Sequence, residues 1–277
     1  MELCCPVCGA ALRRTDTAYV CPRRHSFDLA RQGYVNLLPV QQKHSLHPGD
    51  TRQQVLARRA FLSAGFYRPI ADALCRAAAE LRAAGPILDV GCGEGYYGTR
   101  LARSMGAALT GLDVSKEAVR CAAAACKDAV WVCGTAARLP VADGSVGTLT
   151  SLFALTVAAE FHRVLRPEGL FFQVLAAEDH LLGLKSVIYP SLLHKPKQTV
   201  PAVAGFTLLQ SVPIRFSFTV EGQQVQNLLA MTPHVYRIGA EGARRLAETP
   251  RLTDTVSCVL NCYRRGDSLP EESTGDV

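Results

Sequence analysis

Four residues near the N-terminus have the types and the spacing of a metal site. Two residues separate Cys5 from Cys8, twelve separate Cys8 from Cys21, and three separate Cys21 from His25. Thiolates and an imidazole are ligands that zinc prefers, and two short pairs of this kind can converge on one tetrahedral ion. Four protein ligands leave no open position, so the predicted site is structural and stabilises a lobe too small to bury its own core. The alternative is a set of ordinary buried thiols beside a chance histidine.

A second group of residues has the spacing of a nucleotide-binding turn. Residues 87–96 read Ile-Leu-Asp-Val-Gly-Cys-Gly-Glu-Gly-Tyr, so a strand-like run leads into alternate glycines and then into a helical pattern. Glycines let the backbone pass beneath a ligand without a Cβ in the way. Asp89 precedes the first glycine by two residues, and Asp113 closes the next strand-like run, where a carboxylate can bind both ribose hydroxyls. The alternate glycines are Gly91, Gly93 and Gly95.

The glycine spacing favours one kind of nucleotide pocket over another. Tyr96 stands where the dinucleotide pattern G-x-G-x-x-G has its third glycine, so the turn reads G-x-G-x-G. Together with the two acids, this pattern resembles the S-adenosylmethionine pocket of class I methyltransferases. A nicotinamide pocket is the alternative at this position.

The elements that must hold these residues alternate between strand and helix from residue 85 onward. Strand, helix, strand in this rhythm predicts a doubly wound parallel sheet, and two long β-rich runs near the end predict an antiparallel edge. We therefore expect an α/β, class I (Rossmann-like) fold with a mostly parallel seven-stranded sheet. The seven strand-like runs are residues 86–90, 108–114, 129–133, 146–153, 170–175, 206–220 and 254–264.

The same patterns divide the chain into four parts. Residues 1–38 are predicted to form the zinc-binding lobe, and residues 39–84 a linker loop followed by two helices, the first capped by Asp50. Residues 85–265 form the predicted methyltransferase domain, and residues 266–277 an acidic, disordered tail.

Composition bounds the class of protein. The chain has 277 residues, of which 48% are hydrophobic and 19% charged, which allows a sizeable core and argues against general disorder. No apolar run is long enough for a membrane span, and no signal peptide is visible, so a cytoplasmic protein with reduced thiols is expected. The first 69 residues carry nine Arg and one Lys against four acids, a balance that favours a polyanionic partner as much as a plain solvated surface.

Several motifs together resemble the bacterial 23S rRNA (guanine-N1)-methyltransferases over nearly the full chain. The resemblance implies zinc on Cys5, Cys8, Cys21 and His25, and cofactor contacts from Tyr67, Gly95, Tyr96 and His180. One segment departs from it, since Ala154-Leu155-Thr156 stands where the family commonly has Ala-Pro-Cys. Besides the metal lobe, the motifs are His25-Ser-Phe-Asp, Gly33-Tyr-Val-Asn-Leu-Leu-Pro-Val, Pro48-Gly-Asp, Arg58-Arg-Ala-Phe-Leu, Gly65-Phe-Tyr-Arg-Pro, Gly91-Cys-Gly-Glu-Gly-Tyr-Tyr and Met231-Thr-Pro-His-Val-Tyr-Arg.

The resemblance also implies a substrate, which is a guanine in a hairpin loop of 23S rRNA. The target base would leave its stack, and the sequence does not identify the group that accepts the N1 proton. Two rival interpretations stay open: a small-molecule methyltransferase, and a non-enzymatic zinc-ribbon RNA-binding protein. A homodimer is an assembly that the sequence leaves open. Tyr236 and Tyr263 could stack on a base, but packing in a β-sheet is the expectation for both.

Overall fold

A computed structural model describes residues 1–39, 49–192 and 196–268 of the chain. The loop predicted after Pro39 and the tail predicted over residues 266–277 therefore lie mostly outside the described residues. The N-terminal segment begins with a small antiparallel sheet in the order β1-β2-β3. Its strands are β1 (Arg13–Arg14), β2 (Ala18–Val20) and β3 (Ser26–Asp28). Strands of two or three residues bury little apolar surface, so a lobe of this size needs a further constraint.

The main sheet lies at the centre of the fold and has the strand order β10-β11-β9-β8-β5-β6-β7-β4. Neighbouring strands from β4 to β9 run parallel, whereas β11 pairs antiparallel with both β9 and β10. All residues of β5 and β8 are buried, as expected for parallel strands covered by helices on both faces. The strands are β4 (Tyr34–Asn36), β5 (Ile87–Val90), β6 (Leu109–Asp113), β7 (Val130–Cys133), β8 (Val146–Leu152), β9 (Leu165–Ala176), β10 (Phe206–Glu221) and β11 (Arg251–Arg265).

The sheet has eight strands rather than the predicted seven. Each of the seven predicted runs forms a strand, and the additional one is β4, which comes from the N-terminal segment. Tyr34, Val35 and Asn36 pair in parallel register with Trp131, Val132 and Cys133 of β7. This pairing joins residues almost a hundred positions apart, so no local pattern indicates it.

Eight α-helices surround the sheet in the described part of the chain. They are α1 (Arg52–Ser63), α2 (Arg68–Glu80), α3 (Tyr96–Met105), α4 (Lys116–Ala125), α5 (Ala158–Val164), α6 (Leu182–Ile188), α7 (Gln223–Ala230) and α8 (Ala240–Ala247). The predicted cap of α1 was wrong by one residue, because Thr51 forms the capping box with Gln54. The Asp50 carboxylate is instead paired with Arg58, at 2.5 Å. None of the helices in the described residues could cross a membrane.

Candidate functional site

The four predicted zinc ligands come together at one point in the N-terminal lobe. One ligand atom from each of Cys5, Cys8, Cys21 and His25 lies within 4.8 Å of all the others. The Nδ1 atom of His25 is 3.5 Å from Cys5 Sγ and 3.4 Å from Cys21 Sγ, and Cys8 Sγ is 3.7 Å from Cys21 Sγ. A zinc tetrahedron with Zn–S near 2.3 Å and Zn–N near 2.0–2.1 Å has edges of about 3.5–3.8 Å. These three separations match the edges of such a tetrahedron, so the four residues are placed to hold one zinc ion.

Cys4 stays outside this cluster although it is adjacent to Cys5. Its backbone forms a bridge with Ala11 and donates to the carbonyl of Pro140 at 2.9 Å. All eleven cysteines fall in the described residues, and none of them forms a disulfide there.

The glycine-rich turn lies between β5 and α3, at the carboxyl end of the sheet. Its three glycines have positive φ values of 72°, 55° and 87°, which ordinary side chains adopt only with strain. A Cβ on Gly91 would come within 2.6 Å of the Ala154 Cβ, and one on Gly95 within 2.5 Å of the Trp131 ring. A Cβ on Gly93 would have open space, with its nearest contact at 3.8 Å. The outer two glycines are thus required for packing, and Gly93 leaves room above the turn.

Asp113 fastens this turn to the end of β6. Its Oδ2 accepts the backbone N–H of Gly93 at 2.9 Å and its Oδ1 accepts that of Ser115 at 2.8 Å. Burial raises the pKa of the Asp113 carboxyl, and these two donors oppose that rise. Each carboxylate oxygen can accept a second hydrogen bond, so the side chain can still receive ligand hydroxyls.

Asp89 lies beneath the turn rather than in the open. It is 3% exposed, and its Oδ1 accepts the Thr150 hydroxyl at 2.7 Å. A Cβ on Gly98 of α3 would come within 2.5 Å of the Asp89 carboxylate, so α3 packs directly on this side chain. Burial raises the pKa of Asp89 to about 6, against the opposing hydrogen bond from Thr150.

A cleft of about 810 Å³ opens above the turn. Among the residues predicted to bind a cofactor, those that line it are Tyr67, Gly91, Gly93, Tyr96 and His180. Asp89, Gly95 and Asp113 do not line it and support the turn from below or behind. Glu94 and Tyr96 also line the cleft, and the Glu94 Oε1 and the Tyr96 hydroxyl are buried without a hydrogen-bond partner. These two polar atoms can each accept or donate a further hydrogen bond inside the cleft.

Tyr67 and His180 meet in the wall of the cleft although they are 113 positions apart. The Tyr67 hydroxyl is 3.4 Å from His180 Nε2, and His180 Nδ1 is near the backbone of Ser257. Burial, with a smaller contribution from the charge of Lys185, lowers the pKa of His180 to about 4. Burial raises the pKa of Tyr67 well above its usual value. Both side chains are therefore neutral near pH 7.

Comparison with known proteins adds to this geometry. Residues 3–46 match the zinc-ribbon family described as "RlmA, N-terminal", and residues 87–169 match a methyltransferase domain. The 23S rRNA (guanine(748)-N(1))-methyltransferase of Streptomyces fradiae is 33% identical over 271 residues, which cover 92% of this chain and 93% of that protein. The chain belongs to the 23S rRNA (guanine-N1)-methyltransferase family.

Two further relatives carry this activity as a provisional assignment in their names. The protein from Micromonospora griseorubida is 41% identical over 204 residues, covering 66% of this chain and 68% of its own length. YxjB of Bacillus subtilis is 31% identical over 267 residues, covering 91% of this chain and 93% of its own length. The predicted class I methyltransferase fold with a zinc lobe is thereby confirmed, and such a methyltransferase uses S-adenosylmethionine.

Two exposed aromatic residues, Phe153 and Tyr236, line the cleft of this methyltransferase. The sequence patterns did not single out Phe153, and they predicted the wrong environment for Tyr236. Phe153 follows β8 and is 39% exposed, whereas Tyr236 lies in a 3-10 turn and is 69% exposed. The expectation that Tyr236 packs in a sheet was therefore wrong. It was right for Tyr263 of β11, which is 1% exposed and stacks on Phe171. A pattern of exposed rings is invisible in the sequence because exposure here depends on tertiary contacts.

The rim of the cleft carries more positive than negative charge. Its basic residues are Arg58, Lys185, Lys197 and Arg237, and its acidic residues are Asp50 and Glu94. Arg58 is neutralised by Asp50, whereas Lys185, Lys197 and Arg237 form no ion pair within 4.0 Å in the described residues. The unpaired cations can attract the phosphates of a nucleic acid.

Proposed function

We propose that this protein transfers the methyl group of S-adenosylmethionine to N1 of a guanine in a hairpin loop of 23S rRNA, in the cytoplasm. The observation that carries the proposal is the cationic, aromatic-lined cleft above the glycine-rich turn, in a chain that matches the Streptomyces fradiae enzyme over 92% of its length. A cleft of this size can receive a cofactor and a base that has left its stack.

The cofactor is assigned to the turn and to the wall opposite it. Gly93 and Tyr96 offer open backbone and an unpartnered hydroxyl, and Asp113 offers its remaining acceptor capacity to the ribose hydroxyls. Tyr67 and His180 form the other wall of the cleft. Gly91, Gly95 and Asp89 contribute by packing, since they fix the path of the turn and the start of α3.

The zinc ion is assigned to Cys5, Cys8, Cys21 and His25 and has a structural role. Four protein ligands complete a tetrahedral coordination sphere, so no position is open for substrate. The lobe is also basic: Arg13, Arg14, Arg23 and Arg24 lie on its exposed surface. The metal therefore shapes a cationic surface that can contact RNA phosphates.

The chemistry requires that guanine N1 pass its proton to a general base as it attacks the methyl carbon. S-Adenosylmethionine supplies an activated methyl group bound to a sulfonium sulfur. When the methyl group is transferred, the leaving group is the neutral thioether. Tyr67 and His180 present neutral polar groups in the wall of the cleft, so they add no charge that would repel the cationic sulfonium. Closing a base into this cleft excludes water from the reacting atoms.

The test is the transfer of label from S-adenosylmethionine to protein-free rRNA. We expect incorporation into 23S rRNA and none into 16S rRNA, and an isolated 23S hairpin should act as substrate if the loop contains the whole recognition site. A small-molecule methyltransferase would bind the cofactor but label neither RNA. A non-enzymatic zinc-ribbon protein would bind RNA without transferring label. Sedimentation with and without RNA would show whether the active species is the homodimer that the sequence leaves open.

A further inference from the structure

Three aromatic rings meet at the end of β8, and one of them is open to the cleft. The Phe153 ring centroid lies 6.4 Å from that of Tyr67 and 5.9 Å from that of His180, with interplanar angles of 44° and 36°. Tyr67 is 3% exposed, whereas Phe153 is 39% exposed. Tyr67 and His180 therefore support the Phe153 ring, which keeps a substantial exposed surface.

The backbone of Phe153 has an unusual conformation. Its φ is +55°, a value that bulky side chains rarely adopt and that costs conformational energy. Such a residue persists only where the surrounding structure fixes it, and such residues cluster at functional sites. The positive φ also ends the regular alternation of β8, so the Phe153 ring lies in the cleft instead of in the apolar core.

Polar contacts hold this strained segment from behind. The Phe153 N–H donates to the carbonyl of Val174 at 2.9 Å, and the Gln173 side-chain amide donates to the Thr156 hydroxyl at 2.7 Å. Gln173 is 2% exposed and also accepts from Asn261 of β11 at 3.3 Å. These hydrogen bonds anchor the segment at the point where it presents the ring.

The segment also touches the turn assigned to the cofactor. A Cβ on Gly91 would lie 2.6 Å from the Ala154 Cβ, so the residue after Phe153 packs directly on that turn. Phe153 is thus next to the place where the methyl donor must meet its acceptor. Tyr236 differs in this respect, because its hydroxyl is bonded to the side chain of Gln54 in α1, 2.8 Å from the amide nitrogen.

We propose that Phe153 is the stacking platform for the target guanine, and that its ring holds the base with N1 toward the methyl donor. The proposal rests on the proposed function and adds a residue that determines how the base is positioned. Every base has a flat π-face, so an aromatic ring can hold a guanine that has left its stack. The neutral Tyr67–His180 pair behind the ring keeps its orientation fixed.

The test compares Phe153→Leu with Phe153→Tyr. Leucine keeps the apolar character and the positive φ but removes the flat ring, and tyrosine keeps the ring. In single-turnover methylation of 23S rRNA with saturating cofactor, Phe153→Leu should slow transfer by on the order of tenfold or more, the loss expected from one base–aromatic stack. Phe153→Tyr should stay within roughly threefold of the unsubstituted enzyme. Affinity for S-adenosylhomocysteine, measured by calorimetry, should be unchanged in both variants.

A spectroscopic measurement separates stacking from a structural effect. The target guanine of an RNA fragment is replaced by 2-aminopurine, which is fluorescent. Its fluorescence should be quenched in the complex with the unsubstituted enzyme and brighter in the complex with Phe153→Leu. Equal rates or equal fluorescence for the two proteins would overturn the stacking role while leaving the proposed function intact. A parallel loss of cofactor affinity in Phe153→Leu would also overturn it, because the ring would then belong to the cofactor site. Absence of guanine methylation by the unsubstituted enzyme would overturn the proposed function and this inference together.

Discussion

The carboxylate of Asp113 accepts the backbone N–H of Gly93 at 2.9 Å, and this bond ties the end of β6 to the middle of the glycine-rich turn. The second oxygen accepts the N–H of Ser115 at the start of α4. One side chain therefore fixes two backbone segments of the cofactor pocket at once, before any ligand hydroxyl is bound. This arrangement explains why an acid at the end of the second strand of the α/β domain and a glycine twenty residues earlier occur together.

Removal of this carboxylate should weaken cofactor binding. Asp113→Ala removes the carboxylate proposed to accept both ribose hydroxyls, so the affinity for S-adenosylmethionine should fall by about 1.5–3 kcal/mol in binding free energy. Calorimetry measures the change. Asp128→Ala is the matched control, because it removes an exposed acid, whereas Asp113 is bonded to the glycine-rich turn. Equal affinities of the two variants would contradict the role of Asp113.

Two glycine-to-alanine substitutions should have opposite consequences. Above Gly93 there is space for a methyl group, so Gly93→Ala should cost only about 1–2 kcal/mol of backbone strain yet reduce cofactor affinity at least roughly tenfold. A Cβ on Gly111 would lie 2.3 Å from the buried Trp131 ring, so Gly111→Ala should destabilise the fold. Urea unfolding measures the stability of both variants, and calorimetry measures their affinity for the cofactor. A Gly93→Ala protein with normal affinity would mean that the ligand does not lie on this turn.

The buried Asp89 should make stability depend on pH. Burial raises its pKa from 3.8 to about 6, so the folded state holds a proton that the unfolded chain releases between about pH 4 and pH 6. Its contribution to the free energy of unfolding must then fall as the pH rises across that window. Asp89→Asn cannot ionise, so its stability relative to the original protein should increase by up to about 3 kcal/mol between pH 4 and pH 7.

Urea unfolding of the two proteins at several pH values measures this difference. Both contain the same predicted zinc ligands, so the pH dependence of metal release cancels in the comparison. A difference that does not vary with pH would show that Asp89 has an ordinary pKa and is not desolvated.

The zinc assignment predicts a contrast between neighbouring cysteines. Cys8→Ser should lose the metal and destabilise the N-terminal lobe, whereas Cys4→Ser should keep about one zinc per chain because Cys4 is outside the cluster. Metal analysis of protein purified without chelators checks both. Cofactor binding should survive in each variant, since the ligands lie in the lobe and not in the cleft. An unsubstituted protein without zinc would refute the assignment.

The local sequence predicted the parts of the fold that have local causes. The alternation of strand-like and helical runs predicted β5 and β8, and the glycine pattern predicted the turn at Gly91, because both depend on neighbouring residues. The eighth strand could not be predicted, since Tyr34–Asn36 is three residues long and its pairing with β7 depends on contacts far away in the chain. The observed cap of α1 is Thr51, whereas Asp50, the predicted cap, forms an ion pair with Arg58.

The candidate site was predicted in the same uneven way. The metal ligands have a characteristic spacing, and the structure places all four together. No sequence pattern marks Phe153, because its proposed role follows from its exposure and its positive φ, and neither can be predicted from the residue type. The structure places Asp89, one of the residues predicted to bind the cofactor, beneath α3, where burial raises its pKa.

The basic surface of the N-terminal lobe should act on RNA binding and not on chemistry. Arg23 and Arg24 are both exposed, and loss of phosphate contacts removes binding that is equal in ground state and transition state. Arg23→Gln/Arg24→Gln should therefore raise KM for rRNA with kcat nearly unchanged, and should reduce the salt dependence of binding. Arg76→Gln/Arg103→Gln, two exposed arginines of α2 and α3 outside the cleft lining, is the control. A normal KM in the first variant at moderate salt would remove the lobe from the RNA interface.

Mapping the methyl group on 23S rRNA tests the central claim most directly. Protein-free 23S rRNA is incubated with the enzyme and S-adenosylmethionine, the stop in primer extension is located, and the nucleoside at that position is identified by mass spectrometry. We predict one strong stop at a guanine in a hairpin loop, with N1-methylguanosine as the product and a weaker stop for a Gly93→Ala enzyme at limiting S-adenosylmethionine. A methyl group on another atom or another base, or cofactor binding without any RNA product, would contradict the account.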